Sequence, residues 1–287
     1  MSQHPCLAVI GGSGLYEIEG LSNKTEITVD TPYGAPSDSL VKGKLGDVDL
    51  LFLPRHGRGH RIAPHAINYR ANVAALKMSG ATHLLTVSAV GSMKEHITPG
   101  HLVVPDQFID LTKRRVSSFF DEGVVAHVGF ADPVCGLLAG ALADAADQSG
   151  AKVHRGGTYL CMEGPAFSTR AESRHYRTWG VSVIGMTAMP EAKLAREAEL
   201  PYAVLALSTD YDCWHESEED VTVDAVIAVM QKNVVVARHA IAGLAKNLPD
   251  PTKSSAHGAL ARAVMTSPGA MSAEAKRKLA WLLPRLG

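Results

Sequence analysis

Short apolar runs alternate along this chain with stretches of helical spacing, and run after run ends in small or polar residues. That rhythm limits the fold more than any single motif does. An apolar run of roughly four to eight residues suits a buried strand, and a helix between two such strands carries the chain back onto a shared sheet. Residues 7–10, 25–29, 40–45, 48–53, 83–87, 153–161, 181–186 and 202–207 read as strands. Residues 65–79, 134–146, 170–179, 190–199, 222–244 and 273–283 read as helices, with Gly80 and Gly150 as stop signals. The pattern predicts an α/β fold with a mixed β-sheet core surrounded by helices. No internal repeat or composition break divides the 287 residues, so a single domain over 1–287 is expected. The stretch 249–270, rich in Ser, Gly, Pro and Ala, is expected to be a mobile excursion before the terminal helix 273–283.

Bulk chemistry narrows the function. A formal net charge of −1 argues against a general nucleic-acid surface. Cys6, Cys135, Cys161 and Cys213 are widely spaced and form no C-x-x-C pair, which disfavours a disulfide framework or a cysteine zinc site. No apolar run approaches the ~18 residues of a membrane span, and the first residues lack the pattern of a signal peptide. The expectation is a cytoplasmic protein acting on a small ligand, with neither nucleic acid nor membrane as partner.

The run Leu50-Leu51-Phe52-Leu53-Pro54 empties into Arg55, His56, Arg58, His60 and Arg61, spaced by Gly57 and Gly59. Guanidinium offers a planar fork of donors to an oxyanion, and glycine lets backbone N–H groups approach the same oxygens. Taken alone, the cluster is equally well a solvated basic loop. Other strand ends add to it: Gly11-Gly12-Ser13-Gly14, Ser88-Ala89-Val90-Gly91, Met186-Thr187 and Thr209-Asp210-Tyr211-Asp212. Ligands of open α/β sheets gather at the carboxyl ends of strands, so these residues are expected to share a pocket. A dinucleotide fingerprint fails at Glu17, which stands where its third glycine would be. Metal ligation by His56 and His60 is disfavoured because Gly57 and Gly59 make that segment a poor helix. Asp210 and Asp212, in extended conformation, would point to one side. If partly buried they cannot easily both ionise, and one pKa should rise; a solvated acidic turn is the plainer alternative. A phosphate cradle beside an acid–carboxylate pair suggests phosphate attacking a substrate whose leaving group is protonated.

Five motifs in order carry a family resemblance: Gly11-Gly12-Ser13-Gly14-Leu15, Pro54-Arg55-His56-Gly57-Arg58-Gly59-His60, Glu163-Gly164-Pro165-Ala166-Phe167-Ser168, Gly185-Met186-Thr187-Ala188-Met189-Pro190-Glu191 and Thr209-Asp210-Tyr211-Asp212-Cys213-Trp214. Together they resemble the trimeric purine nucleoside phosphorylases, and more narrowly their 5′-methylthioadenosine phosphorylase branch. The segment after residue 249 lies outside the resemblance. Ser13 and Ser88 stand where Thr is common, which keeps the hydroxyl, and Ala166 stands where Arg is usual. The resemblance implies a nucleoside phosphorylase-like fold, a homotrimer, no cofactor, no metal, and inorganic phosphate as co-substrate. It implies phosphate ligands at Ser13, Arg55, His56, Ser88, the Ala89 backbone and Thr187. It implies a purine against Phe167 and Ser168, with Asp210 as catalytic acid at N7 and Asp212 at the six-amino edge. Met186 would meet the ribose, and Val223, Val226 and Ile227 the 5′ substituent, although such a stripe is also what the core face of a helix looks like. His127 would close this pocket from a neighbouring subunit.

The activity so implied is phosphate-dependent cleavage of 5′-methylthioadenosine to adenine and 5-methylthioribose 1-phosphate. A phosphorylase for methylthioinosine or ordinary purine nucleosides, a hydrolytic nucleosidase and a purine-binding sensor remain alternatives on the sequence alone.

Overall fold

Strand β1 (Cys6–Gly11) is buried along its whole length and shows why the chain forms layers. Cys6, Ala8 and Ile10 face one apolar cluster, while Leu7 and Val9 face another. Successive side chains of a strand point to opposite faces, so a continuous apolar run needs cover on both. The computed structural model describes residues 4–12, 14–216 and 223–283; of residues 223–228 and 230–232 it describes only the backbone.

The first half of the chain supplies β1, β2 (Ser22–Ile27), β3 (Leu40–Leu45), β4 (Val48–Pro54), α1 (Tyr69–Met78), β5 (His83–Ser92), β6 (Leu102–Val104) and β7 (Gln107–Asp110). Then come α2 (Gly136–Gln148), β8 (Val153–Arg155), β9 (Thr158–Cys161), α3 (Arg170–Thr178) and β10 (Val183–Gly185). The last elements are α4 (Ala188–Glu197), β11 (Tyr202–Asp210), α5 (Val223–Lys246) and α6 (Ala273–Leu279). These strands form one mixed sheet that forks at β5. One branch runs β2-β3-β4-β1-β5-β10-β9-β7, and the other leaves β5 through β11 to β6 and β8. β4, β1, β5 and β11 are parallel neighbours, so their carboxyl ends lie on one side. Residues of α1, α4 and α6 join the cluster on one face, and those of α2 and α5 the cluster on the other.

The elements differ from the sequence reading where turn chemistry overrides periodicity. Pro64 opens a short 3-10 turn, and α1 starts only at Tyr69, where the Asn68 side chain accepts from the Ala71 N–H. The stretch 153–161 is two strands because Gly156 and Gly157 both take positive φ between them. Residues 249–270 form 3-10 turns packed on the body: Leu260 and Ala263 are buried, and His83 Nε2 lies 2.9 Å from the Pro249 carbonyl oxygen. Among the described residues no helix is long and apolar enough to cross a membrane.

Candidate active site

The four parallel strand ends deliver Gly11-Gly12, Arg55, Ser88-Ala89 and Asp210 to one side of the sheet. β10 runs antiparallel to β5, so after Gly185 it returns Met186 and Thr187 toward Ser88. The Ser88 and Thr187 hydroxyls stand 3.3 Å apart, with the Tyr159 hydroxyl 3.4 Å from Ser88. Gly185 permits this packing, because a Cβ there would come within 2.0 Å of the Tyr159 oxygen. Thr187 also precedes α4 as its N-cap without using its hydroxyl to cap the helix.

Arg55 is buried and faces inward. Nε donates to Glu191 Oε1 at 2.7 Å, Nη1 to the Val87 carbonyl at 3.1 Å, and Nη2 to the Ile10 carbonyl and Thr86 Oγ1, each at 3.2 Å. Glu191 is fully buried and also accepts from the Thr86 hydroxyl. The cation that reads from sequence as a free phosphate ligand is therefore already paired, and Nη1 carries one further N–H beyond these bonds. His56 sits beside it with Nδ1 at 2.8 Å from the Ile62 carbonyl oxygen. A carbonyl only accepts, so Nδ1 holds a proton. Burial, then the Arg55 charge, pushes the His56 pKa down to about 4, so the ring is neutral and Nε2 offers a lone pair. His60 stacks face to face on it at 4.2 Å. Arg58 and Arg61 turn away to Glu26 and Asp38.

The carboxylate pair is closely built but not extended. Between Ser208 and Asp210 the register with β5 shifts, leaving Thr209 as an extra residue and setting Asp210 opposite Gly91. Bulges of this kind re-aim a side chain next to a site. Gly91 makes room, since a Cβ there would lie 2.8 Å from Asp210 Oδ1. Asp212 takes φ +54, and its N–H donates to Asp210 Oδ1 at 2.8 Å, so the two are joined by a turn rather than by one face of a strand. Thr209 Oγ1 lies 2.7 Å from Asp210 Oδ2 and 3.2 Å from the Val90 carbonyl oxygen. A protonated Asp210 satisfies both contacts: its Oδ2–H donates to Thr209, whose proton goes to Val90. Burial raises the Asp210 pKa, with the Asp212 charge a smaller contribution in the same direction. Burial also raises Asp212, opposed by the hydroxyls of Ser173 and Ser168. Desolvation, more than mutual repulsion, thus shifts the pair.

Residues 162–168 form the neighbouring wall. Ser168 links to Asp212 through Cys213, whose thiol donates to the Ser168 carbonyl at 3.3 Å. Phe167 is 47% exposed beside it. Gly164, at φ +67, lets Met186 close in: a Cβ would stand 2.5 Å from its sulfur. Arg115 donates to carbonyls on both the 162–163 and the 186–189 segments.

Ser13 lies outside the described residues, as do the side chains of Val223, Val226 and Ile227, whose backbone belongs to α5. His127 is exposed, and its N–H donates to the Ala263 carbonyl beside the Ala126–Val264 bridge. Sequence reasoning assigned no role to Glu191, Tyr159 or Arg115. Glu191 had a signal, being a carboxylate among the apolar positions Ala188, Ala192, Leu194 and Ala195. Nothing in the sequence separates Arg115 from its neighbour Arg114.

Residues 7–246 match the family model of the phosphorylase superfamily. The S-methyl-5′-thioadenosine phosphorylase of Geobacter sulfurreducens is 57% identical over 274 residues, covering 95% of this chain and 96% of its own. Its counterpart from Synechocystis sp. is 52% identical, covering 96% and 86%. The crystal structure of a methylthioadenosine phosphorylase from an antarctic soil metagenomic library aligns with a TM-score of 0.92 at 49% identity, over 99% of this chain and 100% of that one. A methylthioadenosine phosphorylase from Schistosoma mansoni in complex with adenine gives 0.79 at 38% identity, over 86% and 94%. By strand order, site architecture and this likeness, the chain belongs to the phosphorylase superfamily and, within it, to the family of the S-methyl-5′-thioadenosine phosphorylases.

Proposed function

We propose that this protein cleaves the N-glycosidic bond of 5′-methylthioadenosine with inorganic phosphate, releasing adenine and 5-methylthioribose 1-phosphate. One observation carries the assignment of roles. The Ser88-Ala89 donors and Asp210 sit on adjacent paired strands, with Asp210 opposite Gly91, two residues beyond Ala89. That separation is about 7 Å along a strand, enough to place an anion under a sugar and an acid at the departing base.

Phosphate is held by Ser13, Ser88, the Ala89 backbone, Thr187, the remaining Nη1 proton of Arg55, and His56. Because His56 is neutral with Nε2 unprotonated, it accepts from the proton of monohydrogen phosphate rather than donating. The purine lies along Phe167 and Ser168, with Met186 against the ribose. A phosphate oxygen bonds to the anomeric carbon as its bond to N9 breaks, and the electron pair passes into the purine. Asp210 then gives its proton to N7, so adenine leaves neutral, and Thr209 donates back to the carboxylate that remains. Acid catalysis of this kind contributes roughly 10²–10⁴-fold, and fixed donors around the phosphate replace the cost of orientation. Phosphate supplies the nucleophile and Asp210 the proton, so the reaction closes without a cofactor or metal. Asp212 accepts from the six-amino group, which disfavours a six-oxo base. The 5′ substituent is assigned to Val223, Val226 and Ile227 by the family resemblance; beside apolar residues a hydroxyl would lose hydrogen bonds, a discrimination of roughly 1–3 kcal/mol.

The working unit is a homotrimer in which a partner's copy of His127 completes the 5′ pocket. Support comes from exposed apolar side chains near it, Val125 and Met265, adjacent through the Met265 N–H to Val125 carbonyl bond. Light scattering that returned a single chain per particle would remove this part. Free thiols at all four cysteines favour a reducing, cytoplasmic setting.

Chromatography of products from methylthioadenosine, with and without phosphate, tests the reaction. Adenine should appear only with phosphate. Equal cleavage in phosphate-free buffer, or a clear preference for methylthioinosine giving hypoxanthine, overturns the proposed roles of the phosphate cradle or of Asp212.

A further inference from the structure

Arg115 follows β7 and belongs to none of the strand-end motifs, yet its side chain has no exposed surface. Nη1 donates to the Met186 and Met189 carbonyls, each at 2.6 Å, and to the Tyr69 hydroxyl at 2.9 Å. Nη2 donates to the Glu163 carbonyl at 2.7 Å and to that of Met162 at 3.4 Å. One guanidinium thus pins two segments beyond the last rung between β9 and β10. The first leads into Phe167-Ser168, on the purine side. The second carries Met186 and Thr187, on the phosphate side. A planar fork can bridge such segments where a point charge cannot.

One contact is incomplete. Arg115 Nε and Glu163 Oε1 stand 3.8 Å apart, and among the described residues both atoms are buried without a hydrogen-bond partner. Leaving two such atoms unpaired is costly, and a charge-assisted bond would form after an approach of about 1 Å. The opposite oxygen of Glu163 accepts from the Lys113 N–H at 2.6 Å, so the carboxylate is tethered next to the gap.

We propose that Arg115 is a positioning residue that couples phosphate binding to purine binding, with Glu163 closing onto its Nε when both ligands are present. Phosphate at Thr187 fixes the carbonyls of 186–189, which set the guanidinium, which sets the purine-side segment through 162–163. Purine binding sends the same constraint the other way, as linkage requires. The inference rests on the phosphorylase reading.

Calorimetric titration of adenine, with and without inorganic phosphate, measures the coupling directly. The wild-type ratio of the two dissociation constants should lie within the roughly 5–150-fold range usual for linked sites. In Arg115→Lys it should fall close to one, with adenine affinity in the absence of phosphate little changed. In Glu163→Gln, which keeps an acceptor but not the charge, it should fall part-way. A merely structural role predicts something else: both affinities drop and the ratio stays at its wild-type value, which overturns the proposal. Should Arg115→Lys fail to fold, an unchanged ratio in Glu163→Gln overturns it equally. A wild-type enzyme that releases adenine with phosphate yet shows a ratio of one refutes the coupling alone. A wild type that neither cleaves methylthioadenosine nor binds adenine refutes the phosphorylase reading, and the coupling with it.

Discussion

Asp210 is the group whose chemistry depends most on a single proton. Burial holds its pKa above the ordinary 3.8 of aspartate, so the neutral acid persists to higher pH than in water. The sign follows: turnover is sustained while Asp210 is protonated and declines as pH rises through its folded pKa. Asp210→Asn keeps the shape and an oxygen for the Asp212 N–H but cannot deliver a proton. Its kcat should drop about 10²–10⁴-fold, the alkaline decline assigned to this group should vanish, and thermal stability should change little. Loss of less than tenfold in kcat at the pH optimum would remove Asp210 from the chemistry. Arg55 carries a different lesson at this scale. Its residue type and place after a strand were legible, but its direction was not, because the partner that turns it inward, Glu191, lies 136 residues away. Sequence proximity groups Arg55, Arg58 and Arg61 as one basic cluster; long-range acids separate them into one buried ion pair and two surface ones.

Elements were legible where the apolar run was long enough to be buried on both faces. β1, β4 and β11 fall where their Leu, Val, Ile and Phe residues place them, because the apolar stretch of each is buried, and β3 follows through Leu40 and Val41 although Lys42 and Lys44 are only part-buried. β5 was expected to stop at Val87, since Ser88, Ala89 and Gly91 look like a turn. It continues to Ser92 because β11 pairs with it as far as Gly91 and β10 from Gly91 to Ser92. Small residues there serve close approach between strands rather than chain reversal. β6 and β7 leave no such trace in the sequence. Their three and four residues carry no period, and only pairing with β8, β9 and β11 makes them strands. The fork at β5 follows from its extension to Ser92, which lets β11 and β10 both pair with it, so the order of the sheet was out of reach although its class was not. The Asp210–Asp212 pair was legible as two nearby carboxylates from spacing alone. The bulge at Thr209 and the left-handed Asp212, which aim them, depend on the register with β5.

Across the whole molecule, stability should depend on pH through groups that fold in opposite charge preference. His83, buried at the start of β5, bonds through Nε2 to the Pro249 carbonyl and so ties the 249–270 segment to the sheet. Burial pushes its pKa down to about 4, only partly opposed by the Pro249 carbonyl and the Asp250 charge. A depressed histidine binds fewer protons folded than unfolded between about 4 and the ordinary 6.5, so its contribution is present above 6.5 and is lost as pH falls through that window. Asp210 and Asp212 act with the other sign. Their raised pKa values favour the folded state most at low pH, and that share is lost as pH rises through their folded values. A bare stability curve therefore mixes the two, and a difference between variants separates them. His83→Gln keeps a donor for Pro249 but no titration. Relative to this variant, wild type should lose roughly 3 kcal/mol of stability between pH 7 and pH 4, read from urea midpoints at each pH. A difference that stays constant across that range would mean that His83 is not held neutral by burial, and that the 249–270 segment is not anchored through it.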